Sequence, residues 1–228
     1  SGYRIPDEKI RFAGKKIILN NFTILDSLDH KLIIDGSLDL SKPGSTYANL
    51  ELLSSDLQIM NSGEKKNTSF YGKVFIDSRL SVNGLISNPD LKGTITLKGG
   101  TEIFYSKKED LSLSESEKVI TFISATPLNR QNINSLGSGS VARRKGISVE
   151  TMVEIDPETR INFNLSQKLY TIDLKIQGGG ALNYNILENN QMNLSGEYAI
   201  GEGTANVKMI GWPNKLFRIT SGGTVRWD

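Results

Sequence analysis

The sequence contains no cysteine and only one histidine, His30. The absence of thiols excludes a disulfide framework, a cysteine nucleophile and a thiolate metal site, and one histidine cannot build the usual zinc ligand sets. A catalytic histidine would also need a partner, so we interpret His30 as a polar residue of a turn at 26–30. We therefore predict no metal site and no other cofactor.

Strong charge and long apolar runs are also missing. Lys+Arg number 27 against Asp+Glu 25, and a net charge of +2 is too small to predict nucleic-acid binding. No apolar run reaches the roughly 18 residues of a transmembrane helix, and no charged-then-apolar leader is present. The chain begins Ser1-Gly2 without an initiator methionine. We expect a fragment of a longer protein, with any targeting segment or membrane anchor outside these residues.

Helical spacing of apolar residues is not sustained anywhere, whereas alternation with a period of two recurs along most of the chain. Its clearest example is the C-terminal stretch at 191–227, QMNLSGEYAIGEGTANVKMIGWPNKLFRITSGGTVRW. Near the start, alternation predicts a hairpin, and a parity slip between Leu52 and Leu57 predicts a bulge. We interpret the glycines at 178–180 and 201–203 as breaks and turns. The pattern predicts a dozen or more strands in sequential hairpin order.

Such a sheet must close into a barrel, fold over into a sandwich, or curl and leave an apolar trough. Glycines inside the predicted strands, at Gly72, Gly84, Gly93 and Gly196, permit sharp curvature and favour curling. We predict an all-β fold, a long, curled, mostly antiparallel sheet in one domain over 1–228. Residues 106–146 lack periodicity, and their composition predicts a mobile loop within that domain.

Candidate chemistry in the sequence is weak. The carboxylate pairs Glu109/Asp110 and Glu115/Glu117 fall in the predicted loop, whereas a glycosidase holds its carboxylates on a rigid scaffold. The Gly-x-Gly sequences at 137–139 and 201–203 do not open a helix after a strand, which excludes a dinucleotide site. The basic cluster at 143–145 is able to meet a phosphate or a lipid head group, but such clusters more often only aid solubility. We predict that the chain is not an enzyme.

The glycine and apolar positions of the C-terminal stretch resemble the end of the TamB C-terminal domain family, particularly its Bacteroidota versions. The positions that carry this resemblance are Leu194, Gly196, Tyr198, Ile200, Gly203, Lys215, Phe217, Ile219, Gly222, Gly223, Thr224 and Trp227. Upstream, Asn21-Phe22, Asp26-Ser27 and Gly36 follow the family's rhythm, and FYGKVFIDSRLSVNGLISNPDLKGTITLKGGTEIFY at 70–105 is similar to its central repeat. The resemblance covers nearly all of the chain outside 106–146.

This resemblance implies an AsmA-like, periplasm-spanning protein of a diderm bacterium whose parent chain is anchored in the inner membrane. It also implies a taco-shaped sheet with an apolar interior, a TamA-like outer-membrane barrel partner, and a role in phospholipid transport or outer-membrane protein assembly. We expect the groove to hold the acyl chains of phospholipid. The candidate lining residues are Leu32, Ile34, Leu38, Val82, Ile95, Leu97, Val149, Val153, Phe163, Ile172, Leu174, Leu194, Tyr198, Val207 and Phe217.

Two further functions stay open at this point. In the first, the terminal strands present an edge for β-augmentation by a partner barrel or a client strand, with Phe217, Ile219, Val225 and Trp227 as the candidate residues. In the second, the chain is a carbohydrate-binding β-sandwich of the cell surface, which predicts a filled core between two sheets.

Overall fold

The structure is a computed structural model that describes residues 2–65, 68–108, 146–187 and 191–228. Over these ranges the chain is all-β, with no helix, and therefore contains no helix suited to crossing a membrane. The described residues belong to one compact unit, made of Ser1–Glu109 and Lys145–Asp228. The carboxylate pairs, the Gly-x-Gly at 137–139 and the basic cluster at 143–145 lie outside the described residues.

Thirteen strands within these ranges form a single curled, mixed sheet, so the predicted all-β fold is confirmed and is consistent with a taco-like shape. Alternating apolar and polar residues extend each strand, and polar or glycine-containing turns end most of them. In chain order the strands are β1 (Arg11–Ala13), β2 (Lys16–Leu25), β3 (Lys31–Lys42), β4 (Ser45–Ser62), β5 (Phe70–Leu85), β6 (Asn88–Leu97), β7 (Glu102–Lys108), β8 (Ser148–Ile155), β9 (Arg160–Ser166), β10 (Tyr170–Ile186), β11 (Met192–Met209), β12 (Lys215–Ile219) and β13 (Gly223–Trp227).

Strand order follows the chain at both ends of the sheet but not in its middle. Antiparallel pairs join β1 through β6 in sequence, and β10 pairs with β11 in the same way. In the middle, however, β6 lies parallel to β8, and β7 lies parallel to β9. The predicted sequential hairpin order is therefore wrong there. In the sequence, about forty residues separate β7 from β8, and a separation of that length allows parallel pairing.

Each of these parallel partners is half of one interrupted strand. Both β6 and β7 pair with β5, while both β8 and β9 pair with β10. The interruptions at 98–101 and 156–159 lie side by side, because Asp156 N–H donates to the Leu97 carbonyl and Arg160 N–H to the Thr101 carbonyl. The strand β7 continues to Lys108. The predicted start of the irregular segment, at residue 106, is therefore wrong.

Two glycine segments predicted as breaks or turns lie inside long strands instead. Gly178-Gly179-Gly180 belongs to β10, and Gly201-Glu202-Gly203 belongs to β11. The register skips Gly201 opposite Gln177 and Gly178, which makes Gly201 the extra residue of a β-bulge. The glycines of β10 instead allow close backbone approach, since a Cβ on Gly180 would lie 2.1 Å from the Glu197 carbonyl oxygen.

The predicted bulge in β4 is confirmed and is one of several irregularities that cross the sheet obliquely. The register of β4 shifts between Ser54 and Leu57, where Asp56 has a φ of 52°. In β2, Asn21 has a φ of 49° at a similar shift. The line continues through the interruptions at 98–101 and 156–159 to Gly201 in β11. Strands β5 and β10 cross this line without an interruption.

The core follows this same oblique line. Leu57, Val74 and Ile76 form a buried cluster on β4 and β5, and partly buried apolar side chains from four strands pack against it. These surrounding residues are Leu32, Met60, Ile95, Leu97 and Ile103. The convergence of side chains from so many neighbouring strands on one cluster places it on the concave side of the curled sheet.

Candidate functional site

The strand register assigns the apolar side chains to one face of the sheet, because paired residues of neighbouring strands point to the same side. One row of paired residues crosses eight strands, from Leu19 through Gly36, Leu50, Val82, Leu91, Val149 and Ile186 to Met192. A second row on the same side, four residues along each strand from the first, contains Leu32, Ile95, Val153 and Leu182. We call this side the apolar face.

Every residue predicted to line a groove lies on the apolar face. Leu32, Ile34, Leu38, Val82, Ile95, Leu97, Val149, Val153, Phe163, Ile172, Leu174, Leu194, Tyr198, Val207 and Phe217 are all brought to it by the register. Most of them are half-buried, whereas Leu194 and Phe217 are exposed and Tyr198 is buried. Their contact with a lipid stays a prediction.

The opposite side of the same strands is mostly polar, and we call it the polar face. On β6 and β8, Lys92 Nζ binds Glu150 at 2.7 Å, and the Thr96 hydroxyl donates to Glu154 at 3.0 Å. These residues are exposed or half-exposed, so their charges are solvated and the ion pair adds little stability. The sheet is thus amphipathic across its thickness.

The sheet is open at both edges among the described residues. β1 pairs only with β2, and β12 and β13 pair only with β11. The sheet therefore does not close into a barrel, and a single sheet does not fit the sandwich alternative. The predicted edge residues Phe217, Ile219, Val225 and Trp227 lie on β12 and β13, with their side chains on the apolar face.

A buried carboxylate connects the β2–β3 turn to β4, and sequence reasoning had missed it. The Asp26 Oδ1 atom accepts hydrogen bonds from the backbone N–H groups of Leu28 (2.7 Å) and His30 (2.9 Å), while Oδ2 accepts from the Gln58 N–H at 2.7 Å. The His30 ring Nδ1 lies 3.0 Å from Oδ2. Burial raises the pKa of Asp26, but these hydrogen bonds outweigh it and hold the pKa below its ordinary value.

His30 is in the predicted turn, but it is more than a solvated residue, since its ring also meets the edge of Phe75 at a centroid distance of 6.4 Å. The neighbourhood therefore fastens a turn to the sheet. It does not resemble a catalytic dyad, because the Asp26 oxygens are already occupied by backbone donors.

A second carboxylate holds the β4 bulge. The backbone N–H of Asp56 donates to Asp77 Oδ1 at 2.8 Å, and Lys98 Nζ binds Asp77 Oδ2 at 3.0 Å. Partial burial raises the pKa of Asp77, yet the Asp56 N–H and the Lys98 ammonium together lower it below its usual value. The β2 bulge repeats this arrangement, because the Asn21 N–H donates to Asp35 Oδ1 at 2.7 Å.

A sequence signal for the interruptions was available. Leu97 and Ile155 are each followed four residues later by a threonine, Thr101 or Thr159, and then by a charged residue. These threonines are among the most buried side chains of the described chain. The Thr101 hydroxyl lies 3.1 Å from the Phe75 N–H and 3.2 Å from its carbonyl oxygen. The repeated spacing marks where the two strands are interrupted.

Two depressions lie on the polar face. One, of about 660 Å³, is lined by residues of the β2–β3 turn and of β4 to β6, including Asp56, Asp77 and Arg79. The other, of about 890 Å³, contains Arg160, Lys175, Arg218, Glu102 and Glu202. Neither presents a rigid acid–base pair, and in the described part of the chain no group of His, Asp and Glu is arranged to hold a metal ion. The apolar face is therefore the best candidate for the functional site.

Comparison with known proteins agrees with this geometry. The family model described as "TamB C-terminal domain" matches residues 20–228, and neither a curated protein nor a solved structure matches the chain. This family is a non-enzymatic transport and assembly module associated with the bacterial envelope and with outer-membrane assembly. With the match spanning almost the whole sequence, the chain belongs to the TamB C-terminal domain family.

Proposed function

We propose that the apolar face carries the acyl chains of phospholipids as they move to the bacterial outer membrane. The observation that supports this is the series of mainly apolar rows on one side of an open sheet, from β2 to β11. An ordinary domain buries such a face under a second layer. Here all described strands belong to one sheet.

The energetics of transfer suit such a surface. Removing each methylene group from water contributes about 0.8 kcal/mol, so a diacyl lipid is strongly retained by a continuous apolar trough. Because aliphatic side chains make no directional contacts, the acyl chains are free to slide from one row to the next. The polar face and the sheet edges leave the head group in water.

Two neighbouring residues of β8 provide a matched test. Val153 lies on the apolar face, and Met152 lies on the polar face with 42% of its surface exposed. A photo-crosslinking amino acid at position 153 should form adducts with phospholipid in living cells, detected by mass spectrometry. The same amino acid at position 152 should not.

This comparison separates carriage on one face from general stickiness, since Met152 is the more accessible of the two side chains. Equal lipid adducts at both positions, or adducts at position 152 alone, would contradict the proposal. Native mass spectrometry of the purified chain provides an independent readout, in which co-purified phospholipid is expected.

A second candidate function rests on the edge strands. β12 and β13 are five residues each and pair only with β11, so their outer backbone groups are available for an added strand. We propose a TamA-like outer-membrane barrel protein as the partner. Deletion of 216–228 should abolish its pull-down while leaving lipid crosslinking at position 153 intact.

Serine at Phe217 and Trp227 is the control for that deletion, because it changes the apolar side chains but keeps the backbone of both strands. Pull-down should persist in this variant, since augmentation uses backbone hydrogen bonds. Normal pull-down by the deletion variant would exclude the edge. A periplasmic location and an inner-membrane anchor in the parent protein accompany both functions as proposals. The AsmA-like and Bacteroidota assignments stay predictions.

A further inference from the structure

Five large apolar side chains are exposed together at one end of the sheet. They come from the β9–β10 connection, the β11–β12 connection and the strand ends beside them. Leu169 is 67% exposed, Ile210 73% and Trp212 69%. Met209 and Leu216 complete the set. We call these five residues and the lysines among them the apolar tip.

Backbone contacts hold the two connections side by side. Ile210 N–H donates to the Leu169 carbonyl at 3.1 Å, and Tyr170 is the register partner of Met209. The β11–β12 connection is closed by a further hydrogen bond, from Trp212 N–H to the Met209 carbonyl at 3.2 Å. The exposed side chains are therefore displayed by an ordered frame.

The charge of the tip has one sign. Lys168, Lys208 and Lys215 are exposed within or next to the two connections, and none of them forms an ion pair with another described residue. The sequence from 203 to 227 contains no Asp or Glu. The tip thus combines apolar side chains with lysines that form no ion pair within the described residues.

This combination distinguishes a lipid surface from a protein partner. Lysine is depleted in protein–protein interfaces, whereas Trp, Leu and Ile beside Lys are typical of segments that lie in the membrane interface. Long lysine side chains keep their ammonium groups at head-group level while their stems and neighbours insert. We propose that the apolar tip inserts into the surface of a bilayer that contains anionic lipid.

The inference goes beyond the carriage of acyl chains, because the tip would bind a bilayer whether or not the apolar face holds lipid. It also gives the apolar face a place to exchange lipid. The row that pairs Ile172 with Leu165 and Val207 lies one step from the Tyr170–Met209 pair at the tip. An acyl chain leaving the apolar face at that end would enter the bilayer directly.

Co-sedimentation with phosphatidylcholine vesicles, with and without phosphatidylglycerol, tests the proposal on the full chain. Serine at Ile210 and Trp212 should lower the partition coefficient on anionic vesicles by about tenfold or more. The matched control carries serine at Ile86 and Leu187, which are exposed at the opposite end of the sheet. The control should bind like the wild type.

Charge and insertion are measured separately. Glutamine at Lys168, Lys208 and Lys215 should remove most of the preference for phosphatidylglycerol, and wild-type binding should weaken as salt is raised. With Trp227→Phe, Trp212 is the only tryptophan, and its emission should shift to the blue on addition of anionic vesicles.

Several results would overturn the proposal. The tip variant could bind as well as the wild type, the Ile86 and Leu187 control could lose as much binding as the tip variant, or the emission could show no shift. Normal vesicle binding by the tip variant with loss of a protein partner would identify a protein-docking surface instead. Lipid crosslinking at position 153 reports on the apolar face alone, so failure of the tip and failure of lipid carriage are distinguishable.

Discussion

Charging one position of the apolar face should impair lipid binding, whereas the same charge one residue later should not. Leu182 and Asn183 are neighbours on β10, with Leu182 on the apolar face and Asn183 on the polar face. Leu182 pairs with Val153 and Gly196, and Asn183 pairs with Met152 and Ser195. Glutamate at either position adds the same charge to the same strand, but only Leu182→Glu places it on the face that we propose to carry acyl chains.

The magnitude follows from the apolar surface that is lost. A glutamate at 182 would displace about three methylene groups of a bound chain, at about 0.8 kcal/mol each, which gives about 2.4 kcal/mol or about 50-fold in lipid affinity. Leu182 is only half-buried, so the substitution should lower the free energy of unfolding by about 1 kcal/mol and leave the sheet folded. Asn183→Glu should change neither quantity measurably.

Titration with a fluorescent phospholipid measures the affinities, urea unfolding measures stability, and Leu182→Met provides an apolar control at the same position. Lipid affinity of Leu182→Glu that equals that of Asn183→Glu would refute the assignment of the apolar face. So would a large loss of affinity in Leu182→Met, because that substitution keeps both the size and the polarity of the side chain.

Three stability predictions follow from the buried groups. Asp26→Asn should lower the free energy of unfolding by about 2–3 kcal/mol in urea, because the carboxylate accepts several backbone hydrogen bonds. Because its pKa is lowered, this stabilisation is present above the unfolded pKa of about 3.9 and is lost as the pH falls through the folded pKa; a constant difference between the variants across that window would contradict the assignment. Tyr198→Phe should leave the free energy of unfolding unchanged or raise it by up to about 1 kcal/mol, since the buried hydroxyl has no partner among the described residues. A clear loss of stability in thermal melts would show that the hydroxyl has a hydrogen-bond partner. Gly93→Ala should cost about 2 kcal/mol or more, because its Cβ would lie 2.0 Å from the Arg79 carbonyl oxygen at a φ of +143°. Gly100→Ala, also at positive φ but with open space around the new Cβ, should cost clearly less in the same thermal melts.

The two faces of the sheet were predictable because side-chain parity is a local property of each strand. Leu32 and Ile34 are even-numbered, Ile95 and Leu97 are odd-numbered, and β11 changes parity at Gly201. The register nonetheless brings the predicted lining positions together. A one-residue slip in any strand would turn its apolar residues to the polar face, so the alternation itself specifies the register. The bulge at Asp56 was visible for the same reason.

The middle of the sheet was not predictable. Parity says which way a side chain points but not which strand lies alongside, and the long segment between β7 and β8 allows either antiparallel or parallel pairing. Glycine was also ambiguous, since the same residue suits a turn, a bulge and close backbone approach. At Gly180 the backbone of Glu197 decides among these, and that contact is remote in sequence.

The oblique line of irregularities explains how an open sheet protects an apolar face without a second layer. A bulge bends its strand and increases the local twist. The carboxylates of Asp35 and Asp77 hold two such bulges by binding the N–H groups of residues with left-handed backbone, Asn21 and Asp56. The interruptions at 98–101 and 156–159 and the bulge at Gly201 continue the same line, and the buried cluster around Leu57 lies beside it.

Curvature of this origin differs from closure into a barrel. Closure would pair the edge strands and fix the volume inside, whereas a bend held by side chains of the polar face leaves both edges unpaired in the described sheet. The apolar rows then extend past the bend, where Leu194 and Phe217 are exposed. A face that is buried at the bend and accessible beyond it suits the proposed role, in which an apolar ligand is held and then released.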